Sequence, residues 1–288
     1  MSGTHGDVEV RIASLHLHPV KSCGGIAVDE ALVIETGFEF DRAWALVDER
    51  GVAVTQRELP RMALIQPTLK HIDMVLRAPG MLSLHVALDT VEAPVQATVW
   101  NDTVKAYDMG DLAAQWFSDF LGRKLRLVRF DPEQRRLANP RWTGPIEAET
   151  AFADAYPLLV TSTAGLAELN RRLAAAGHAA VTMQRFRPNL VLDGLDANGE
   201  DHLDEIVFEA PEGPVRLKLV KPCDRCTMPD VDPATGVPGH AVGDALSAYR
   251  ADARLDGAIT FGMNAVILEG IEATLKTGMT GQARFKFA

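Results

Sequence analysis

A chain of 288 residues with 47% hydrophobic and 24% charged side chains carries enough apolar residue for one large or two ordinary cores, which excludes a disordered, collagenous or coiled-coil protein. Its formal charge of -10 excludes a broad nucleic-acid duplex surface, so any basic site must be local. Three cysteines cannot build a disulfide framework, and no apolar run approaches the roughly 18 residues that span a bilayer.

The N-terminal MSGTHGDVEV lacks a basic stretch followed by an apolar one, so the expectation is a cytoplasmic protein with reduced thiols and no membrane partner. The first hundred residues read as short strands of period two. VEVRIASLHLHPV comes first, and RAWALVDERGVAVTQ comes next with a hairpin at DERG. MVLRAPGMLSLHVAL turns at Pro79-Gly80, and VQATVWNDTVKAYD turns at Asn101-Asp102, which makes a β meander. The stretch DLAAQWFSDFLGR predicts a helix with Asp111 as N-cap and Leu112, Trp116, Phe117, Phe120 and Leu121 on its apolar face.

A strand KLRLVRF comes after it, and the Pro-rich, charged DPEQRRLANPRWTGPIEAET then marks a boundary or long connection. YPLLVTSTAGLAELNRRLAAAG runs from a strand into a helix, with Thr161, Ser162 and Thr163 at the junction where capping oxygens are wanted. FRPNLVLDG, DEIVFEA, VRLKLVK and AITFGMNAVILEG read as further strands, with a short helix in DALSAYRADARL. No regular βαβ alternation, GxGxxG or GxxxxGK[ST] is present, which excludes the doubly wound nucleotide folds. The predicted class is mainly β (α+β): two barrel-like units, over 8–130 and 131–288, with a few peripheral helices.

KPCDRC places Cys223 and Cys226 three positions apart. A zinc site needs four ligands, and only His240 stands close in sequence to supply a third. A redox dithiol wants a helix N-terminus behind the first cysteine, whereas Pro222, Pro229 and Pro233 place the pair on a loop leaving VRLKLVK. Two readings stay open. One thiolate ligates a metal that prefers soft donors, favoured by the neighbouring Arg225, or both cysteines are small buried apolar residues.

Four phrases decide more than the cysteines alone: HPVKSCGG at 18–25, FDRAW at 40–44, RFRPNLVL at 185–192, and KPCDRC with VDPATG after it. In order and spacing they resemble the MOSC (molybdenum cofactor sulfurase C-terminal) superfamily, specifically members with an N-terminal β-barrel domain, like the mitochondrial amidoxime-reducing components. The resemblance spans about residues 8–285. It implies a molybdenum cofactor, molybdenum on a molybdopterin, with Cys226 as the catalytic thiolate that ligates the metal and Cys223 as a non-ligating neighbour. It also implies contacts to that cofactor from Lys21, Ser22, Arg42, Thr161, Ser162, Thr163, Arg187, Asn189, Arg225 and Asn264.

The implied activity is reduction of N-hydroxylated compounds, with Asp230 or Asp232 as candidates for acid–base help. A non-catalytic carrier of cofactor or sulfur is the alternative. Relatives with a fused plant-type iron–sulfur domain carry four further cysteines, which this sequence lacks. The resemblance therefore implies a separate electron donor, a ferredoxin- or flavin-type reductase. After Cys226 the sequence reads Thr227-Met228-Pro229-Asp230, and Pro229 offers no backbone donor.

Overall fold

Along Val8–Leu17 the buried side chains are first Val10 and Ile12, then Leu15 and Leu17. The parity of burial changes because a bulge between Ile12 and Ser14 inserts one residue against Leu190–Asp193 and returns the apolar side chains to the same face. This strand occupies the middle of a closed barrel, seen in a computed structural model that describes residues 6–90 and 93–286.

Seven strands close it, in the order Leu158–Ser162, Leu190–Asp193, Val8–Leu17, Thr280–Phe285, Leu203–Ala210, Gly213–Asp224 and Ala258–Glu269. Ala258–Glu269 returns to pair with Leu158–Ser162, so the sheet leaves no open edge along this path. The first and last of the described strands are thus hydrogen-bonded neighbours. Val10, Ile12, Leu15, Phe208, Leu217 and Met263 fill the interior. Leu158–Ser162 and Leu190–Asp193 are parallel, and their crossover is the helix Thr163–Ala175.

Beside the barrel, Trp44–Val47, Arg126–Phe130, Asp102–Asp108 and Pro94–Val99 form a four-stranded half-barrel sheet. Gln66–Leu69, Asp73–Arg77 and Leu84–Ala87 form a three-stranded meander. The helix Gly110–Leu121 joins the two by packing Trp116, Phe117 and Phe120 into one cluster with Trp44, Leu46 and Leu76. The mainly β architecture with few helices agrees with the sequence reading. Among the described residues no helix is long and apolar enough to cross a membrane.

Four local expectations change. The Gly110–Leu121 helix begins one residue before Asp111; Asp108 Oδ1 accepts from Gly110 N at 2.8 Å, and Asp111 pairs with Arg126 instead. Leu112 faces solvent, 76% exposed, because the helical face that meets the sheet is set by Trp116 and Phe120. The hairpin turn is Trp100-Asn101, one residue early, since Asp102 already pairs with Val99. Finally, the strand Gly213–Asp224 extends through Cys223, leaving only Cys226 beyond its end.

Candidate cofactor site

Four loops meet at one end of the barrel, and backbone hydrogen bonds fix each. Leaving the first strand, His18 to Lys21 zips onto the chain before Trp44: Arg42 N donates to His18 O (3.0 Å), Trp44 N to Pro19 O (3.0 Å) and Lys21 N to Trp44 O (2.8 Å). Phe152 N donates to Arg42 O (3.0 Å), Asn189 N to Leu159 O (2.8 Å) and Arg225 N to Ile259 O (2.8 Å). These ties bring together residues that are up to two hundred positions apart in sequence.

The loops enclose a cavity of about 410 Å³. Its lining includes six cationic side chains, Lys21, Arg42, Arg57, Arg187, Lys221 and Arg225, against the carboxylates of Asp154 and Asp224. In a chain of charge -10 the cationic surplus is local to this cavity. Cys223 and Cys226 both line the same cavity, Cys226 exposed and Cys223 partly buried.

Ser22, Arg42 and Arg187 all sit at positive φ, 65°, 50° and 57°. Non-glycine residues in this region cost on the order of 1–3 kcal/mol each unless their surroundings hold them, and such strain gathers at ligand sites. Here the surroundings hold the two arginines. The Arg42 guanidinium donates to Asp41, to Asn189 Oδ1 (3.2 Å) and to Arg187 O (2.9 Å). Asn189 Oδ1 also accepts from Leu159 N (3.1 Å), and its amide nitrogen donates to His16 O (3.3 Å). Arg187 Nη1 donates to Cys23 O.

Charge is packed tightly along the cavity wall. Burial lowers the pKa of Lys21, although the Asp154 charge and hydrogen bond oppose that, and Lys21 Nζ also donates to Phe152 O at 2.8 Å. Partial burial works to raise the pKa of Asp154, but Lys21 and the Trp100 indole N–H (3.0 Å) outweigh it and hold the carboxyl well below its ordinary range. Burial, then the charge of Arg42, brings Arg187 down to about 10, so it stays cationic at neutral pH. Burial pushes the Cys23 thiol up to about 12, which makes it inert packing.

Around the cysteines the geometry separates two roles. Arg225 Nη1 donates to Cys223 Sγ at 3.0 Å and Arg225 Nη2 to Phe186 O at 2.8 Å. No three His, Cys, Asp or Glu side chains converge among the described residues, so the pair has no further zinc ligands. The chain beyond Cys226 enters a 3₁₀ turn, Met228–Asp230, with no α-helix N-terminus to acidify a dithiol. The buried apolar reading also fails, because neither Cys223 nor Cys226 is fully buried.

Of the sequence candidates, Lys21, Ser22, Arg42, Arg187, Asn189, Arg225, Cys226 and Asn264 line the cavity. Thr161, Ser162 and Thr163 do not, and each has a structural task. Ser162 caps the helix Thr163–Ala175, its Oγ accepting from Gly165 N at 3.0 Å; Thr161 donates to Met183 Sδ (3.4 Å) and Thr163 to Asp193 (3.0 Å). Asp230 and Asp232 are also off the lining. Asp230 Oδ1 accepts from Val242 N and Gly243 N at 3.0 Å, capping a short helix. Asp232 closes an Asx turn onto Ala234 and Thr235 and pairs with Arg185 (2.9 Å). Arg57, Trp100, Asp154 and Tyr156 line the cavity and carry no signal in the sequence, since their neighbours TQRE, VWND and ADAY match no chemical motif.

A β-barrel joined to a half-barrel, with a cationic cavity and an exposed thiol between its loops, defines a class that the comparisons identify. Residues 9–124 match the family model of the MOSC N-terminal beta barrel domain and residues 147–278 that of the MOSC domain. The chain is 35% identical over 235 residues to mitochondrial amidoxime reducing component 2 of Bos taurus, covering 78% of this chain and 68% of that protein. It is 36% identical over 239 residues to mitochondrial amidoxime-reducing component 1 of Homo sapiens, covering 78% and 67%. It is also 30% identical to the Homo sapiens molybdenum cofactor sulfurase, over 88% of this chain but 29% of that protein. The chain belongs to the MOSC family.

Proposed function

We propose that this protein is a molybdenum-cofactor-dependent oxidoreductase that reduces N-hydroxylated compounds, with electrons from a separate redox partner. The observation that carries the reading is the pairing of an exposed thiol, Cys226, with six cationic side chains in one cavity. Two of those cations hold an unspent donor: Arg187 Nη2 and Arg225 Nε are buried without a hydrogen-bond partner among the described residues. A buried guanidinium nitrogen left unpaired is costly, and an anion rich in acceptors, such as a pterin phosphate, would satisfy it. The residues therefore fit the cofactor that the similarity to amidoxime-reducing components and to a molybdenum cofactor sulfurase suggests.

In this reading Cys226 supplies the protein's thiolate to the metal, and Lys21, Arg42, Arg187 and Arg225 with Ser22 and Asn189 hold the pterin and its phosphate. Bound there, the cofactor supplies a two-electron redox centre for breaking an N–O bond. Each N–OH group reduced to N–H consumes two electrons and two protons and releases water. Arg225, tied to Cys223 Sγ and Phe186 O, fixes the loop that presents Cys226. The strained Ser22, Arg42 and Arg187 keep the cationic loops in place before the cofactor arrives, which lowers the ordering cost of binding it.

The test is turnover. Protein purified from a host that makes the cofactor, given a hydroxylamine and an artificial reductant, should form the parent amine catalytically. Tight cofactor binding without amine formation would instead support a carrier of cofactor or sulfur.

A further inference from the structure

Trp100 is out of character with its position. It is the first residue of a two-residue hairpin turn, between Val99 and Asp102, and its φ of 57° lies in the region that asparagine and glycine fill at low cost. A bulky aromatic there is a backbone outlier. It is also 54% exposed, yet it lines the cavity, where Tyr156 and Phe186 are the other aromatic side chains.

Two contacts keep it from turning away. The indole N–H donates to Asp154 Oδ1 at 3.0 Å, and Asp154 is itself paired with the buried Lys21. The Arg57 guanidinium lies 4.5 Å from the ring centroid, where a cation is attracted to the π face. Arg57 lines the cavity too. The ring is thus fixed in orientation at little further entropic cost to a ligand, while more than half of the residue's surface stays open.

A rigid indole backed by a cation is a stacking platform for flat conjugated molecules. We propose that Trp100 determines specificity: it stacks on the planar, conjugated part of an N-hydroxylated substrate while the N–OH group reaches the centre held by Cys226. This rests on the functional reading above and assigns to that site a preference for amidoximes and N-hydroxylated aromatic bases over compact aliphatic hydroxylamines.

The experiment compares the cofactor-loaded wild type with Trp100→Ala and Trp100→Phe, using benzamidoxime and N-methylhydroxylamine as substrates. Stacking of one conjugated ring on an aromatic side chain is worth roughly a tenfold change in affinity. The ratio of kcat/KM for benzamidoxime to that for N-methylhydroxylamine should fall about tenfold in Trp100→Ala, through KM. It should recover most of that loss in Trp100→Phe, which keeps a π face but lacks the N–H donated to Asp154. A ratio unchanged in Trp100→Ala, or equally lost in both variants, overturns the proposal. Molybdenum and pterin content measured alongside would also overturn it if Trp100→Ala alone lost them, because the indole would then serve the cofactor.

Calorimetric binding of benzamidoxime to the same three proteins separates this proposal from the enzyme reading. If no protein turns over either substrate, the enzyme reading fails. A binding constant weakened about tenfold in Trp100→Ala would still support the platform, and equal binding in all three would refute it.

Discussion

Cys223 and Cys226 are three positions apart, yet they meet different surroundings. Both line the cavity, but Cys223 Sγ accepts a hydrogen bond from Arg225 and lies within a barrel strand, whereas Cys226 stands past the strand end and is exposed. Cys226→Ser should therefore abolish reduction of N-hydroxylated substrates, while Cys223→Ser, which keeps a hydrogen-bond acceptor for Arg225, should retain most of it. Steady-state rates with a common reductant check this, and equal loss in both variants would point back to a dithiol. At this scale much of the site was legible. PVKS, DRAW, FRPN and CDRC each carry at least one residue that the fold delivers to the cavity. Arg57, Trp100, Asp154 and Tyr156 were not, because they reach it from loops whose local sequence obeys only turn and strand chemistry. Thr161 to Thr163 lie off the cavity lining, and a hydroxyl at a strand-to-helix junction serves a helix cap as well as a ligand: Ser162 Oγ accepts from Gly165 N.

The strand Ala258–Glu269 shows how an element's geometry depends on one position. It pairs with Gly213–Asp224 on one side, through three register shifts, and with Leu158–Ser162 on the other. Gly262 has φ 78°, and a Cβ there would lie 2.6 Å from Val160 O and 2.7 Å from Thr161 Cγ2. Gly262→Ala then combines a left-handed backbone penalty with a clash against the neighbouring strand's backbone, which cannot retreat without opening the barrel. We expect a loss of at least about 2 kcal/mol in denaturant unfolding. A shift of a few tenths would show that the barrel closes more loosely at this point. The strand was readable from its apolar run, but its irregular register was not, since bulges arise from barrel curvature and not from local propensity.

For the whole molecule, the barrel depends on both ends of the chain. Val8–Leu17 hydrogen-bonds to Leu190–Asp193 and to Thr280–Phe285, although it lies outside the segment 147–278 that the MOSC domain matches. Residues 131–288 expressed alone would expose both of those strand edges and the apolar interior that Val10, Ile12 and Leu15 cover. Such a fragment should be insoluble or lack cooperative unfolding, and a cooperative melt comparable to the full chain would contradict this closure. Pairings across such distances are invisible to any local reading, which is why the strands were predictable and their order was not.

Acid should also weaken the whole fold. His18 is buried, its Nε2 donates to Pro188 O at 3.0 Å, and its Nδ1 is buried without a partner among the described residues. Burial, then Arg187 and Arg42, hold its pKa well below the ordinary 6.5. Below that pH the unfolded chain takes up a proton that the folded chain refuses. This contribution to stability is therefore complete above 6.5 and is lost as pH falls, with a slope approaching about 1.4 kcal/mol per pH unit. Chemical unfolding at pH 8, 6 and 5 should show stability falling toward acid, and His18→Gln should flatten that slope. An unaltered slope would assign the acid sensitivity to other groups.

On the proposed function, Cys226 and the cationic loops hold a molybdenum cofactor. The most direct test is molybdenum and pterin content per chain, in protein from a cofactor-producing host, for the wild type and Cys226→Ala. Both near one per chain in the wild type, with the metal lost from the variant, is the predicted result. Zinc in their place, or neither metal nor pterin in the wild type, would contradict it.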